Sequence, residues 1–273
     1  ISHAGYIKRL PVSTYRKQKR GGKGVAGAGK KEEDFIEHLF IASTHAYILF
    51  FTDLGRVYWA KVYEIPQAGR LSRGKAIPNL LGIKPEEKMT AHVVVPEFDD
   101  RHFLLMITER GVVKRTNLSA YSHPRRDGIV AISLDENDKL IEVRLTEGSE
   151  EVFIATRNGK AIRFPETQVR SVGRVSRGVK GINLGKGDLV IGATIAENDA
   201  TVLSVTEKGI GKRSQFEDYR LQKRGGQGVI NIKITQRNGT IVGLRAVTDR
   251  DGLMLITSIG MVIRIPVEPI RVL

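Results

Sequence analysis

The chain has 273 residues, 41% of them hydrophobic, with 29 glycines against 9 prolines, enough for a real core and many tight turns rather than disorder. Forty-four Lys and Arg against 30 Asp and Glu leave a formal charge of +14, which points to a polyanionic partner, either nucleic acid or an acidic membrane surface. The absence of cysteine excludes disulfides and thiolate metal sites and suits a reducing cytoplasm; no His-Glu-x-x-His spacing suggests a metal, and the longest apolar run, Ala46 to Phe51, is too short to span a bilayer.

The first residues, ISHAGYIKRLP, contain neither a starting Met nor a signal peptide's apolar centre, so the chain reads as a piece of something longer. Ser2-His3-Ala4-Gly5 combines a hydroxyl residue, two variable residues and a glycine. The pattern returns as Thr52-Asp53-Leu54-Gly55, Thr108-Glu109-Arg110-Gly111, Thr156-Arg157-Asn158-Gly159, Thr206-Glu207-Lys208-Gly209 and Thr257-Ser258-Ile259-Gly260, its glycines 50, 56, 48, 50 and 51 residues apart. Six copies at that spacing define a repeat protein. The repeats fall at about 1–46, 47–101, 102–150, 151–199, 200–250 and 251–273, and are expected to form one domain over residues 1–273.

Within a repeat the elements follow in a fixed order. A short apolar run precedes each Thr: Ile48–Phe51, Leu104–Ile107, Val152–Ala155, Val202–Val205 and Leu253–Ile256. Their length and branched content predict strands. The glycine reverses the chain, and a second strand follows, such as Val112–Arg115 or Lys160–Arg163. Pro11, Pro165 and Pro266, six residues after the glycine, are expected to end pairing. Tyr15, Tyr121 and Tyr219, ten residues after it, exchange with Ile65, Val169 and Ile270, which marks a packing position; Trp59 is also expected to pack. Next come a basic glycine loop, a third strand (Ile129–Leu134, Val229–Ile234), acidic turns and a fourth strand (Leu140–Leu145). Lys30–Leu39 is read as an acidic inter-strand turn. The expected fold is therefore all-β: six propeller-like blades of about four strands each per repeat of about fifty residues. The sixth repeat stops at Leu273, before its loop, so one blade is expected to be completed by both chain ends or outside the fragment.

The glycine loops carry the candidate site. Gln18-Lys19-Arg20-Gly21-Gly22-Lys23-Gly24 begins 13 residues after Gly5, and Gln222-Lys223-Arg224-Gly225-Gly226-Gln227-Gly228 begins 13 after Gly209. Arg73 and Lys75, Arg125 and Arg126, and Arg177 and Lys180 occupy the loops at the same address. Glycine lets backbone N–H groups approach an anion, and Arg offers paired donors to phosphate oxygens. Nothing in the loops favours reading base edges, so contact to the backbone of double-stranded DNA, independent of sequence, is expected. A row of such loops would hold the duplex bent around a rim. Arg9, Arg115, Arg163, Arg213 and Arg264 stand four residues after the glycine; they either reach the same phosphates or pair with the acidic turns. No catalytic constellation emerges. Gly22-x-Gly24-x-x-Gly27 lacks a buried strand before it, and Gly24-x-x-x-x-Gly29-Lys30 has Lys31 where a magnesium-binding hydroxyl belongs.

QKRGGKG closely resembles the box commonly written QRRGGKG that marks the C-terminal domain family of DNA gyrase A, and the six repeats and basic rim are similar to that family over essentially the whole chain. Lys19 departs from the usual Arg; QKRGGQG resembles a degenerate box in the fifth repeat. The resemblance implies a six-bladed β-pinwheel, a propeller relative with altered strand connections, monomeric when isolated. It implies wrapping of DNA that lets the full enzyme, with the rest of gyrase A and with gyrase B, introduce negative supercoils. It also implies a fragment without catalytic residues or cofactor of its own, ATP and magnesium serving the whole enzyme only. The alternatives are the C-terminal domain of a topoisomerase IV subunit, against which an intact first box and six repeats argue, and a propeller serving protein interaction, which would carry acidic or apolar loops.

Overall fold

The computed structural model describes residues 1–11, 34, 38, 40–69, 72–256 and 262–273, and at 254, 256 and 262–264 it describes the backbone only. In chain order the strands are β1 (Tyr6–Ile7), β2 (Tyr47–Thr52), β3 (Arg56–Lys61), β4 (Lys75–Ala76), β5 (Met89–Val95), β6 (Phe103–Thr108), β7 (Val112–Asn117), β8 (Ile129–Val130), β9 (Leu140–Thr146) and β10 (Glu151–Thr156). There follow β11 (Lys160–Pro165), β12 (Val179–Lys180), β13 (Val190–Ile195), β14 (Thr201–Thr206), β15 (Gly211–Gln215), β16 (Val229–Ile230), β17 (Ile241–Val247), β18 (Gly252–Ile256) and β19 (Val262–Pro266). A short helix, α1 (Ile77–Leu81), stands among them.

Among the described residues the Ser/Thr-x-x-Gly pattern closes the turns at Gly5, Gly55, Gly111 and Gly159 through both of its ends, whereas the Thr206 hydroxyl donates to Ile210 O at 3.0 Å. The glycine N–H donates to the Thr carbonyl, at 3.0 Å for Gly55 and Thr52 and 3.0 Å for Gly111 and Thr108. The Thr hydroxyl accepts the N–H four residues on, from Val112 to Thr108 at 3.1 Å and from Lys160 to Thr156 at 3.2 Å. That second bond is why a hydroxyl residue recurs: Ser and Thr can mimic a backbone acceptor in a turn. Gly111 has φ +82, a conformation that costs other residues a steric penalty.

Among the described residues six sheets form, and their make-up departs from one repeat per sheet. Three have the order β5-β2-β3-β8, β9-β6-β7-β12 and β13-β10-β11-β16; β17-β14-β15, β18-β19 and β1-β4 form the others. In each four-stranded sheet the last strand comes from the following repeat. The expected third strands, Ile129–Leu134 and Val229–Ile234, thus shrink to Ile129–Val130 and Val229–Ile230 and pair with the preceding blade. The ladder stops because the next two N–H groups converge on one carbonyl: Ala131 and Ile132 both donate to Gly55 O, at 2.8 and 3.2 Å. Pro165 and Pro266 do end β11 and β19. The helix α1 is not legible in the sequence pattern; it lies in the second repeat, the longest, has Pro78 in its first turn and ends at Gly82 with φ +66.

The apolar runs need cover on both faces, and the neighbouring blades supply it. Successive side chains of a strand point opposite ways. Leu104 and Met106 of β6 therefore enter one core with Leu49 and Phe51, while Leu105 and Ile107 enter the next with Val152 and Ile154. Phe153 and Ala155 face a further core with Val202, Phe216 and Tyr219. Among the described residues five such clusters link the blades in sequence. Each fully buried Leu, Ile or Phe adds about 1.5–3 kcal/mol, so a strand buried on both faces is stabilised by both of its neighbouring blades.

Candidate nucleic-acid interface

The basic loops leave the molecule where each short third strand crosses into the preceding sheet. The glycine before that strand passes close to its neighbour's backbone: a Cβ on Gly228 would lie 2.4 Å from Ala161 O, and one on Gly178 2.6 Å from Val113 O. Gly74 repeats the approach at Ile7 O, 2.5 Å, and Gly128 at Val57 O, 2.9 Å. At these glycines, where a side chain would clash, the chain enters the adjacent blade. Among the described residues these four crossings share that close approach, and a loop emerges at each of them.

The side chains around the crossings divide into two groups. Arg125, Arg126, Lys180, Lys223 and Gln227 are exposed, as are Arg73, Lys75 and Arg177. Arg177 remains 73% exposed although its Nη1 lies 2.8 Å from Asp135 Oδ1, a surface pair of the kind worth at most about 1 kcal/mol. The Arg73 guanidinium lies 3.8 Å above the Tyr6 ring and 3.9 Å from Asp34. Arg224 belongs to the other group: its Nε donates to Gln168 O at 2.9 Å and its Nη1 to Lys180 O at 3.1 Å. Gln222 is half-buried and donates its N–H to Arg163 O. Gly225 donates to Gly181 O at 2.6 Å, and Gly226 O accepts from Asn183 N at 2.8 Å. Gln18, Lys19, Arg20, Gly21, Gly22, Lys23 and Gly24 lie outside the described residues, as does most of the expected turn at Lys30–Leu39.

The arginines four residues after the repeat glycine answer the alternative left open by the sequence in favour of structure. Arg163 binds Glu151 Oε2 through Nε and Nη2, both at 2.5 Å, and donates through Nη1 to Phe216 O at 2.8 Å. Arg213 is 4% exposed and donates to Thr201 Oγ1, Ile270 O and Asp249 Oδ1 at 2.7, 3.1 and 2.6 Å. Arg9 donates to Ile65 O at 3.2 Å and Arg115 to Gly148 O at 3.0 Å. Their backbones form a parallel bridge to the next repeat, Arg9 to Gln67, Arg115 to Ser171, Arg163 to Leu221 and Arg213 to Val272. The second repeat has Trp59 at this address, and among the described residues no such bridge forms there. The Arg264 side chain is outside the described residues.

Packing also claims the tyrosines: Tyr121 and Tyr219 are buried, their hydroxyls donating to Ala131 O at 3.1 Å and Asn231 Oδ1 at 2.6 Å. Lys114 is no surface cation either. Its Nζ donates to Ala131 O at 2.6 Å and to Arg174 O, and burial, with the nearby Arg174 charge, lowers its pKa to about 7. Sequence reasoning misses three exposed arginines: Arg170, Arg220 and Arg271. Each stands eleven residues after its repeat glycine, next to the packing position and just before the bridged residue. The repeat register alone is enough to find them, one step beyond Val169, Tyr219 and Ile270.

A family model described as "DNA gyrase C-terminal domain, beta-propeller" matches residues 1–43, 46–90, 102–147, 150–197, 200–248 and 253–273. The DNA gyrase A protein of Staphylococcus aureus (strain NCTC 8325 / PS 47) is 46% identical over 273 residues, covering 99% of this chain; the chain spans 31% of that relative's length. Among solved structures, a C-terminal domain of DNA topoisomerase IV superposes with a TM-score of 0.87 at 28% identity, covering 100% of this chain and 84% of the other. A DNA gyrase A C-terminal domain gives 0.73 at 25% identity, covering 97% and 87%.

Proposed function

The chain belongs to the DNA gyrase C-terminal domain family, and we propose that it binds double-stranded DNA around its rim, independently of sequence, and so supports negative supercoiling by a gyrase. The observation that carries this reading is the repetition of exposed cations at blade joints: Arg73 and Lys75, Arg125 and Arg126, Arg177 and Lys180, then Lys223 beside the exposed amide of Gln227. Each pair can meet phosphate oxygens, and none is arranged to read bases. Bending a 20–30 bp site by 40–90° costs about 1–6 kcal/mol, more than one exposed ion pair returns. A bent path therefore requires several loops acting at once, which the regular joints supply.

In this reading the chain is a non-catalytic part of a cytoplasmic type II topoisomerase that needs no cofactor of its own. Its partners are the remainder of gyrase A and gyrase B, and the isolated chain is monomeric. The same rim would serve a topoisomerase IV subunit, and the 0.87 superposition favours that second reading. The 46% identity to a gyrase A protein and the QKRGGKG heptad favour gyrase. The test is to saturate nicked circular plasmid with the chain, ligate, and measure the linking number. A reproducible shift is expected; binding without any shift would overturn the wrapping claim.

A further inference from the structure

We propose that Arg224 of the second heptad is a positioning residue, a latch between blades, whose job is to hold Lys180 and Lys223 in register rather than to touch phosphate. The inference rests on the DNA-wrapping reading above, but its structural half stands on the geometry alone.

The heptad divides by side-chain environment. Lys223 and Gln227 are exposed, whereas Arg224 is half-buried and turned back along the chain. Its N–H donates to Gln168 Oε1 at 2.9 Å, its Nε to Gln168 O at 2.9 Å and its Nη1 to Lys180 O at 3.1 Å. Gln168 ends the corner after β11, and Lys180 lies in β12, which pairs with β7. One guanidinium from the fifth repeat thus grips two segments of the fourth, one of them already inserted in the sheet of the third. The glycines complete the grip. Gly225, with φ +78, turns the chain so that its N–H meets Gly181 O at 2.6 Å, and Gly226 O accepts from Asn183 at 2.8 Å.

A planar fork is what this latch needs, because two carbonyls from different segments must be met at fixed angles. Lysine has the charge without the fork. The address is also regular: Arg20, Arg70, Arg126, Arg174 and Arg224 all stand fifteen residues after their repeat glycines. Arg126 lies in a loop that reaches its crossing glycine, Gly128, two residues sooner, and it is exposed. The latch is therefore assigned to Arg224 and not to every arginine at the address.

Charge and position make opposite demands on three variants of the full 273-residue chain, Arg224→Lys, Arg224→Ala and Lys223→Ala. Each phosphate contact contributes about −0.9 to the slope of log K against log salt concentration. Lys223→Ala should flatten that slope by about 0.9, and Arg224→Ala should leave it unchanged. Both Arg224 variants should lose most of the linking-number shift per bound chain, Lys no less than Ala, and amide exchange at Gly225 and Asn183 should quicken in Arg224→Lys while the sheets stay protected. A slope flattened by Arg224→Ala as much as by Lys223→Ala, or full retention of the topological shift and exchange protection in Arg224→Lys, would overturn the latch. Absence of any shift with the unaltered chain would instead defeat the wrapping reading, and the exchange data would still decide the latch.

Discussion

Arg163 and Glu151 face each other across the hairpin of β10 and β11, with Nε and Nη2 both 2.5 Å from Oε2. The same guanidinium reaches Phe216 O in the next blade at 2.8 Å, so one side chain fastens a hairpin internally and to its neighbour. Arg163→Ala would strand a carboxylate and a carbonyl. Charged hydrogen bonds contribute about 1.5–3 kcal/mol each, and a loss of about 2–4 kcal/mol in urea unfolding is expected on that basis, with the salt dependence of DNA binding unaltered. A flattened salt slope with unchanged stability would return Arg163 to the phosphate-binding set.

Gly228 is placed where no side chain fits. It has φ +71, and its Cβ would stand 2.4 Å from Ala161 O, a backbone atom that cannot step aside. A left-handed conformation alone costs an L-residue about 1–2 kcal/mol, and the clash adds to it. Gly228→Ala is expected to lower the denaturation midpoint, whereas Gly187→Ala, also at positive φ (+71) but with open space around its Cβ, should cost only the conformational part. Equal losses in the two variants would show that the close approach at the crossing carries no weight.

The difference between those glycines shows what the sequence could and could not reveal. The period, the hairpins and the two-faced strands were legible because each depends on local pattern: Thr108 and Gly111 close a turn four residues long, and Leu104 and Leu105 sort to opposite cores by alternation. The crossing of Ile129 and Val130 into the preceding sheet was not, since two residues carry no signal of which neighbour they pair with. The site was half legible for the same reason. Lys223 and Arg224 are adjacent cations in sequence, yet one is exposed and the other spends its donors on Gln168 and Lys180. Only the joint between blades separates them.

One carboxyl should contribute less to stability as the pH rises from about 5 to 7. Glu166 is fully buried, and burial pushes its pKa up to about 7, with Glu150 nearby opposing ionisation. Its Oε1 accepts the Thr146 hydroxyl at 2.6 Å, which favours the ion but does not offset the burial. An acid whose folded pKa exceeds its unfolded one stabilises fully below the unfolded value, and that stability is lost as pH rises through the folded value. The unfolding free energy of Glu166→Gln relative to the unaltered chain should therefore rise between about pH 5 and about pH 7.5, with the opposing titration of His92, whose pKa burial lowers to about 4, common to both. An equal pH dependence in both would assign the effect elsewhere.

Arg170 and Arg220 supply the last test, since they lie beside the blade joints without serving them. Both are exposed, one residue past a buried packing position and one before a bridged residue, so the backbone on either side is fixed while the guanidinium is left in solvent. A cation held on a rigid base is the arrangement that electrostatic phosphate contact requires, and its loss should cost affinity without costing fold. Arg170→Ala and Arg220→Ala should each flatten the salt slope of DNA binding by about 0.9, and the pair by about twice that. Their unfolding midpoints should stay near that of the unaltered chain, because exposed substitutions rarely shift stability beyond about 0.5 kcal/mol. If neither slope moves, DNA follows the loops at Arg73, Arg126, Arg177 and Lys223 without touching the corners between them.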